Sequence, residues 1–418
     1  MKYIAKDLLM KAFKTRLELN NKQATLASKH AGAARFAYNW AVNTCDTAFK
    51  INEHIPSAID LHKKFVAEVK SVNDWLYNIS KFTPQQSFRN IETTYKNFHR
   101  LQSKYNYKKF KQIKFKGEIK YILEGLPQFK KKGRHDSFYL EGKIITKDNK
   151  IKLPKFGWVK CSEILPNCEI KNVVISKRAN QWFIGFNLSI KPNIIINKSN
   201  NIVGIDLGIK TLATLSDGKI FEAIKPYNKN KRKLKILQRK VSKKVKGSNN
   251  YKKAQIKVAK LHYKISNIRQ DSTHKLTTYL SKNHAECVIE DLNILGIIKN
   301  HRLASAILDG GFYEFKRQMI YKCRWYNTKL TIVDKFYPSS KTCSKCGNIK
   351  KDLKLSDRIY KCNNCGLEID RDLNAAINLR NKSVSYIENA CGVSNNSIID
   401  IIDDTVKQEI NNNVLNIV

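Results

Sequence analysis

Four cysteines and three acids are the residues whose types and spacing could do chemistry. Cys343-x-x-Cys346 and Cys362-x-x-Cys365 are two pairs 15 residues apart, each followed directly by a glycine, Gly347 and Gly366. Four thiolates in two such knuckles make a tetrahedral shell for one Zn²⁺, whereas a single pair would suit a redox role equally well. Glycine fits the turn in which backbone N–H groups approach the sulfurs. With all four positions filled by protein, this metal is structural and leaves no place for a reacting water. The acids are Asp206 after the apolar run IVGI, Glu290 at the end of CVI, and Asp372 ahead of LNAAINL. Each has a plainer reading: Asp206 as a turn residue, Glu290 as a strand-end charge, Asp372 as a helix N-cap. Together, on strand-centred elements of one basic domain, they suit Mg²⁺, which takes carboxylate and phosphate oxygens. Two such ions can activate a water and stabilise the leaving oxygen of a phosphodiester. The expectation is that the three carboxylates meet within a few ångströms and share a pocket opening on a cationic groove.

The elements that must position these residues sit in a chain of unusual charge. Its 78 Lys and Arg against 35 Asp and Glu give a formal net charge of +43 over 418 residues. Such an excess is tolerated best when a polyanion neutralises it, so nucleic acid is the expected partner. The 42% of hydrophobic residues is enough to fold, and the length suggests roughly two or three domains. No run of about 20 apolar residues suggests a membrane span, and no apolar N-terminal leader is present. A cytoplasmic, nucleoid-associated protein is expected. The six other cysteines (Cys45, Cys161, Cys168, Cys287, Cys323, Cys391) are scattered, which suits a reducing compartment. There is no Walker A loop, no GxSxG elbow and no HExxH helix, which excludes those chemistries. His274 lies in a helical stretch, where a packed role outweighs a catalytic one.

Along the chain, Met10–Leu19 alternates as a strand. Asn20 or Asn21 then caps a helix toward Phe49, with Leu26, Ala33, Phe36 and Trp40 on its apolar face and Lys29 and Arg35 on the wet one. Further helices are expected over Ala58–Ile79 and from Thr83-Pro84 to Ser103. From Tyr105 to Lys132, aromatic and basic residues alternate as strands, a surface on which bases could stack. Short strands follow in KIITK, KIKLP, VVISK and WFIGFNLSI, and 193–201 reads as a linker. Residues 201–221 predict three strands with Asp217-Gly218 as a hairpin turn. A basic helical pair, broken near Gly247, spans Lys229–Lys282. A buried strand at 285–292, a helix at 311–327 and a strand at 330–334 precede the cysteines, whose intervening KDLKLSDRIYK looks hairpin-like. Beyond Ala390 the chain reads as an Asn-rich, mobile tail.

GIDLGIKTLATLSDG, VIEDLNILG, YPSSKTCSKCGN and DRDLNAAINL resemble the RuvC-like motifs and zinc ribbon of the TnpB (OrfB) family, transposon-encoded relatives of type V CRISPR effectors. LELNNKQ, ARFAYNWAV and LPKFGWVK are similar to the same family, so the resemblance spans roughly residues 10 to 385. The four-cysteine ribbon followed closely by DxNAA is specific, while GIDLG alone is weak. The resemblance implies an α/β RNase H-like (RuvC) nuclease domain with an inserted helical hairpin and zinc ribbon, plus an N-terminal β-barrel (wedge) carrying a helical recognition insert. The implied boundaries are 1–20 with 105–195 for the wedge, 21–104 for the recognition helices, and 196–335 for the first nuclease part with its insert at 226–284. The ribbon then covers 336–368, the second nuclease part 369–385 and the tail 386–418. It further implies RNA-guided DNA cleavage: a monomer bound to guide RNA from the transposon end, acting on double-stranded DNA beside a short flanking motif. The catalytic triad maps onto Asp206, Glu290 and Asp372, holding two Mg²⁺, with Asp370 as fallback because it lies two residues ahead of the acid that directly precedes Leu373-Asn374. A DNA-binding repressor that does not cut, or a strand-transfer transposase, are the alternative classes.

Overall fold

The computed structural model describes residues 9–389 apart from 52, 106–109, 116–117, 124, 191–200 and 355. The expected linker at 193–201 and the tail fall almost wholly outside them. By contacts, the chain divides into residues 1–192 with 236–263, and 193–235 with 264–418.

The first unit is built on a closed six-stranded barrel. Strand β1 (Leu9–Glu18) leads into helix α1 (Asn21–Lys50), followed by α2 (Ala58–Phe65) and α3 (Phe82–Tyr105). A separate hairpin, β2 (Phe110–Phe115) and β3 (Glu118–Leu123), comes next. Then come β4 (Ser137–Lys147), β5 (Lys150–Leu153), β6 (Gly157–Cys161), β7 (Glu169–Arg178) and β8 (Gln181–Ile190). The order β1-β6-β5-β4-β7-β8 closes because β1 pairs with both β6 and β8. Alternation puts Leu140, Ile144, Ile151, Val159, Ile175 and Ile184 inside, while lysines such as Lys150 and Lys152 face out. Closure removes the sheet edges that would otherwise invite foreign strands.

Helix α1 departs from its sequence reading in an informative way. Asn20 is the cap: its side chain accepts from the Gln23 N–H at 2.8 Å while the Gln23 side chain accepts from the Asn20 N–H at 3.2 Å. Ala33 is buried and Leu26 and Trp40 pack against the cores as expected, but most of the fully buried positions are other alanines. Ala27, Ala31 and Ala34 join the barrel core, and Ala33, Ala37 and Ala41 join a second core with Leu61, Phe65, Phe88 and Ile91. Small side chains let one helix be covered on both flanks. Phe36, expected inside, is 39% exposed and packs edge-on against Phe65 and Trp75. Arg35, expected in water, is partly buried in an ion pair with Asp136 at 3.4 Å. The helix expected over Ala58–Ile79 breaks into α2, a π turn at Val66–Lys70 and a 3-10 turn at Asp74–Asn78. Residues 126–132, expected to continue the aromatic strands, form no strand.

The second unit holds a five-stranded sheet in the order β11-β10-β9-β12-β13, from β9 (Ile202–Leu207), β10 (Thr211–Leu215), β11 (Ile220–Glu222), β12 (Glu286–Glu290) and β13 (Lys329–Val333). The meander β9-β10-β11 is antiparallel, with Gly218 at φ +87° in its turn, and β12 runs parallel to both β9 and β13. Between β11 and β12 lie α4 (Pro226–Ser242) and α5 (Asn249–Asn283); between β12 and β13 lie α6 (Ile294–Ile298), α7 (His301–Gly310) and α8 (Phe312–Tyr326). One face of the sheet packs Val203, Ile205, Cys287 and Ile289 against Leu276, Leu280, Phe315 and Met319. The other face receives α9 (Arg371–Asn389), reached through a two-stranded ribbon of β14 (Ile359–Lys361) and β15 (Glu368–Asp370). That hairpin folds over the second cysteine pair, not over the KDLKLSDRIYK segment before it.

Candidate acidic centre and cysteine cluster

Strand register brings two of the acids together. Ile205 pairs with Ile289 across parallel β9 and β12, so Asp206 and Glu290 are the next residues on adjacent strands, at their carboxyl ends. Neighbouring strands lie about 4.8 Å apart, and alternation puts both side chains on the face that carries Gly204 and Val288. This is the α9 face. At Gly204 a Cβ would sit 2.0 Å from the Ala376 carbonyl oxygen and 2.6 Å from the Arg380 nitrogen, so the helix backbone lies directly on the strand. Leu379 packs on Val288 and Val333 beside it. Helix α9 thereby points its first turn, with Asp372, toward Asp206.

Asp370 and Asp372 differ in their local bonding. Asp370 accepts from the backbone N–H groups of Asp372 at 2.9 Å and Leu373 at 3.0 Å, the bonds of an N-cap. Asp372 is left free of capping and meets the Arg371 guanidinium at 3.4 Å. Asp291, adjacent to Glu290, points to the opposite face and pairs with Lys316 at 2.7 Å.

The electrostatics show how the acids bear on one another. Burial, then the charges of Asp372 and Glu290, push the Asp206 carboxyl up to about 8, with Arg371 pulling the other way. Burial also raises Glu290, partly offset by a hydrogen bond from Ser339 Oγ at 3.4 Å. Without a cation, the cluster holds a proton near neutrality where three free carboxylates would hold none. Among the described residues, only the four thiols bring three or more ligand atoms within 4.8 Å of one another; the three carboxylates are spaced more widely than that.

Sequence reasoning missed the residues that frame this centre. Asn374 and Asn378, one turn apart on α9 and buried, both donate to the Thr342 carbonyl, at 2.7 and 2.6 Å. Asn378 also donates to the Ser339 carbonyl at 2.8 Å, and the Ser344 N–H donates to Asn374 at 3.0 Å. They clamp the 339–344 loop that carries Ser339 to Glu290 and leads into the first knuckle. The available signal was the polar i, i+4 pair inside an otherwise apolar helix start. On the same face, Glu286 is satisfied by Thr331 Oγ, Ser383 Oγ and Lys329, a structural role.

The cysteines form one cluster. Cys343 Sγ lies 3.6 Å from Cys365 Sγ, and Cys346 Sγ lies 3.6 Å from Cys362 Sγ. A tetrahedron with bonds of about 2.3 Å has edges of about 3.8 Å, so the set can hold a metal ion such as zinc. Gly347 and Gly366 take φ of +75° and +69°, turning the backbone around the sulfurs. N–H groups from Cys365 and Asn364 draw the Cys362 thiol down to about 6. The Tyr360 ring, fully buried, forms the cluster's core. No helix among the described residues is long and apolar enough to cross a membrane.

An acidic centre at strand ends beside a four-thiol ribbon, in a strongly basic chain, defines a class of nucleic-acid-processing protein. Comparison with known proteins gives the family. Residues 192–301 match the OrfB family model described as a probable transposase, 312–379 a Cas12f1-like TNB domain, and 10–54 a helix-turn-helix domain. That last stretch is here β1 and the single helix α1 with its end. The chain is 33% identical to InsQ of Escherichia coli (strain K12), named as a candidate RNA-guided DNA endonuclease, covering 92% of this chain and 94% of that one. A similarly named Streptomyces pristinaespiralis protein is 32% identical, covering 91% of each. Among solved structures, a Cas12f1–sgRNA–target DNA complex aligns at TM-score 0.44 and 11% identity over 90% of this chain and all of that one. A mini-RNA-guided Cas-phi3 endonuclease aligns at 0.45 and 10% over 90% and 93%. The chain belongs to the TnpB (OrfB) family of transposon-encoded, RNA-guided DNA endonucleases.

Proposed function

We propose that this protein cuts double-stranded DNA by Mg²⁺-dependent phosphodiester hydrolysis on an RNase H-like (RuvC) domain, at a site chosen by guide RNA and a short flanking DNA motif. The observation that carries this is the convergence of Asp206, Glu290 and Asp372 at the ends of two parallel strands and the start of one helix. Their donor set is all hard oxygen, and burial, reinforced by the charges of Asp372 and Glu290, leaves Asp206 holding a proton unless a cation is bound. Both facts fit Mg²⁺, and a pair of such ions is the usual arrangement for in-line phosphodiester displacement. When bound, such ions would supply an activated water and charge stabilisation at the leaving oxygen. The chain's own part is to aim the ligands. The cap at Asp370 and the seat at Gly204 fix Asp372, the Asn374–Asn378 clamp holds Ser339 against Glu290, and Arg371 limits the local negative charge. One zinc in the thiol cluster would tie the 339–344 loop to the ribbon as a structural metal. Delegating sequence reading to RNA leaves the protein gripping backbone, which the lysine-rich composition suits.

The test is to purify the protein from cells carrying its native flanking DNA, sequence the RNA that copurifies, and offer DNA matched to it. A discrete transposon-end RNA with Mg²⁺-dependent cutting of matched DNA is expected. Random RNA only, or matched binding without cutting, would refute the reading and favour a non-cutting DNA-binding protein.

A further inference from the structure

The loop that joins β13 to the first cysteine knuckle leaves Glu290 and comes back to it. Val333, the last residue of β13, is the Cα partner of Glu290, and its carbonyl accepts from the Asp291 N–H at 2.9 Å. Further along the loop, Ser339 Oγ lies 3.4 Å from Glu290 Oε2. Because β9, β12 and β13 run parallel, the loop starts at the sheet edge where Asp206 and Glu290 end. It also turns onto the face that carries them: Tyr337 packs with Val288, Val333 and Leu379, the cluster through which α9 sits on the sheet.

Phe336 is the midpoint of this loop and does the opposite of its neighbour. Tyr337 packs inward, whereas Phe336 is 81% exposed; the next most exposed large apolar side chain described in the second unit is Ile220, at 55%. Single exposed apolar residues are ordinary, so exposure alone carries nothing. Phe336 is set apart by how and where it is held. Asp334 Oδ1 accepts from the Phe336 N–H at 2.8 Å, and the Tyr337 N–H donates to the Asp334 carbonyl at 3.0 Å, which fixes the backbone on both sides. Lys335 Nζ sits over the ring, 4.8 Å from its centroid, and leaves the other face to solvent. Three residues of chain separate Phe336 from Val333 and from Ser339, a reach of at most about 11 Å. That is about three stacked nucleotides at a rise of about 3.4 Å each. An aromatic ring already in place, with a free face and an ammonium beside it, takes a base by stacking and a phosphate by charge.

We infer that Phe336 stacks on one base of the DNA strand held at the carboxylates, with Lys335 toward an adjoining phosphate, and so sets where that strand lies relative to Asp206 and Glu290. That the strand is DNA rests on the proposed function; that the ring takes a base rests on its exposure, its fixed backbone and its place beside Glu290.

The experiment uses the full-length ribonucleoprotein in the Asp206→Asn form, so that matched DNA stays uncut, with a single 5-iododeoxyuridine walked along each strand. Under ultraviolet light this base crosslinks to an aromatic ring stacked on it. Mass spectrometry is expected to find the adduct on Phe336, in the tryptic peptide FYPSSK, from a base within about three nucleotides of the wild-type cut. Phe336→Ala should abolish it. An adduct that persists in Phe336→Ala, adducts confined to other residues, or no adduct at all overturns the assignment. Adducts from iodouridine in the guide RNA, in place of the DNA, overturn the choice of strand. With Asp206 restored, Phe336→Ala should slow single-turnover cutting about tenfold at an unchanged melting temperature. Phe336→Trp should cut within about twofold of wild type, and Phe336→Leu, which keeps apolar surface but loses the flat ring, should stay slow. Wild-type cutting by Phe336→Ala or by Phe336→Leu overturns the stacking role. If the wild-type protein cuts no DNA, the proposed function fails and the adduct still decides whether Phe336 holds a base.

Discussion

Asp206 is the residue on which pH and metal act in opposite directions. Its folded-state pKa, about 8, lies above the ordinary carboxylate value that the unfolded chain would show. Between those values the folded protein holds a proton that the unfolded chain has released. Its contribution to stability is therefore present at low pH and lost as pH rises toward 8. In metal-free protein, a melting temperature that falls between pH 5 and pH 8 is expected, and Asp206→Asn should flatten that fall and stabilise the pH 8 protein by roughly 1–3 kcal/mol. Adding Mg²⁺ at pH 8 should raise the wild-type melting temperature and leave Asp206→Asn unmoved. A variant that melts lower than wild type at pH 8 in EDTA would show that Asp206 is not under this strain. Asp370 makes a contrasting residue-scale prediction: Asp370→Ala removes a cap and should cost about 0.5–2 kcal/mol in thermal unfolding while leaving cutting intact below the transition. A large loss of cutting in folded Asp370→Ala would give the catalytic role to the wrong acid.

At the scale of elements, the seat of α9 on β9 carries the geometry. Gly204 is needed because helix backbone occupies the place of its Cβ, at 2.0 Å from a carbonyl oxygen that cannot swing away. Gly204→Ala should shift α9 off the strand, lower stability by several kcal/mol and move Asp372 away from Asp206. Circular dichroism melting reads the first effect; a melting curve matching wild type would contradict the close approach. The same elements show what could be read in advance. Strands β4, β5, β7 and β8 and the Asp217-Gly218 hairpin follow from alternation and turn chemistry, because each is a local property. On α1, Ala33 is core and Leu26 and Trp40 pack as expected, but Phe36 lies at the surface and the other alanines, weak as a hydrophobic signal, carry much of the packing. Helices α6 and α7 went unseen because they are short. The choice between Asp370 and Asp372 could not be settled from composition, since capping depends on where the helix begins. The roles of Ser339, Asn374 and Asn378 arise only when the loop before the ribbon folds back onto α9.

For the whole molecule, the net charge of +43 sets the terms of association. Counterion release predicts that the logarithm of the DNA affinity falls linearly with the logarithm of salt, with a slope of about −0.9 per phosphate neutralised. A slope steeper than about −5 is expected for DNA lacking any match to the guide. A slope near zero would mean that the basic surface is not the binding surface. Matched DNA should add base-pairing affinity on top of this dependence without removing it, because pairing is read by RNA and the backbone by protein.

The three carboxylates acting as one metal-dependent centre is the claim on which the rest depends. The direct measurement is the single-turnover cleavage rate of guide-matched DNA in Mg²⁺ for Asp206→Asn, Glu290→Gln and Asp372→Asn, with DNA binding measured in parallel. Each should bind DNA as wild type does and cut at least about 10²–10³-fold more slowly. Cutting at the wild-type rate by any one of them, with the protein folded and DNA bound, would contradict the account.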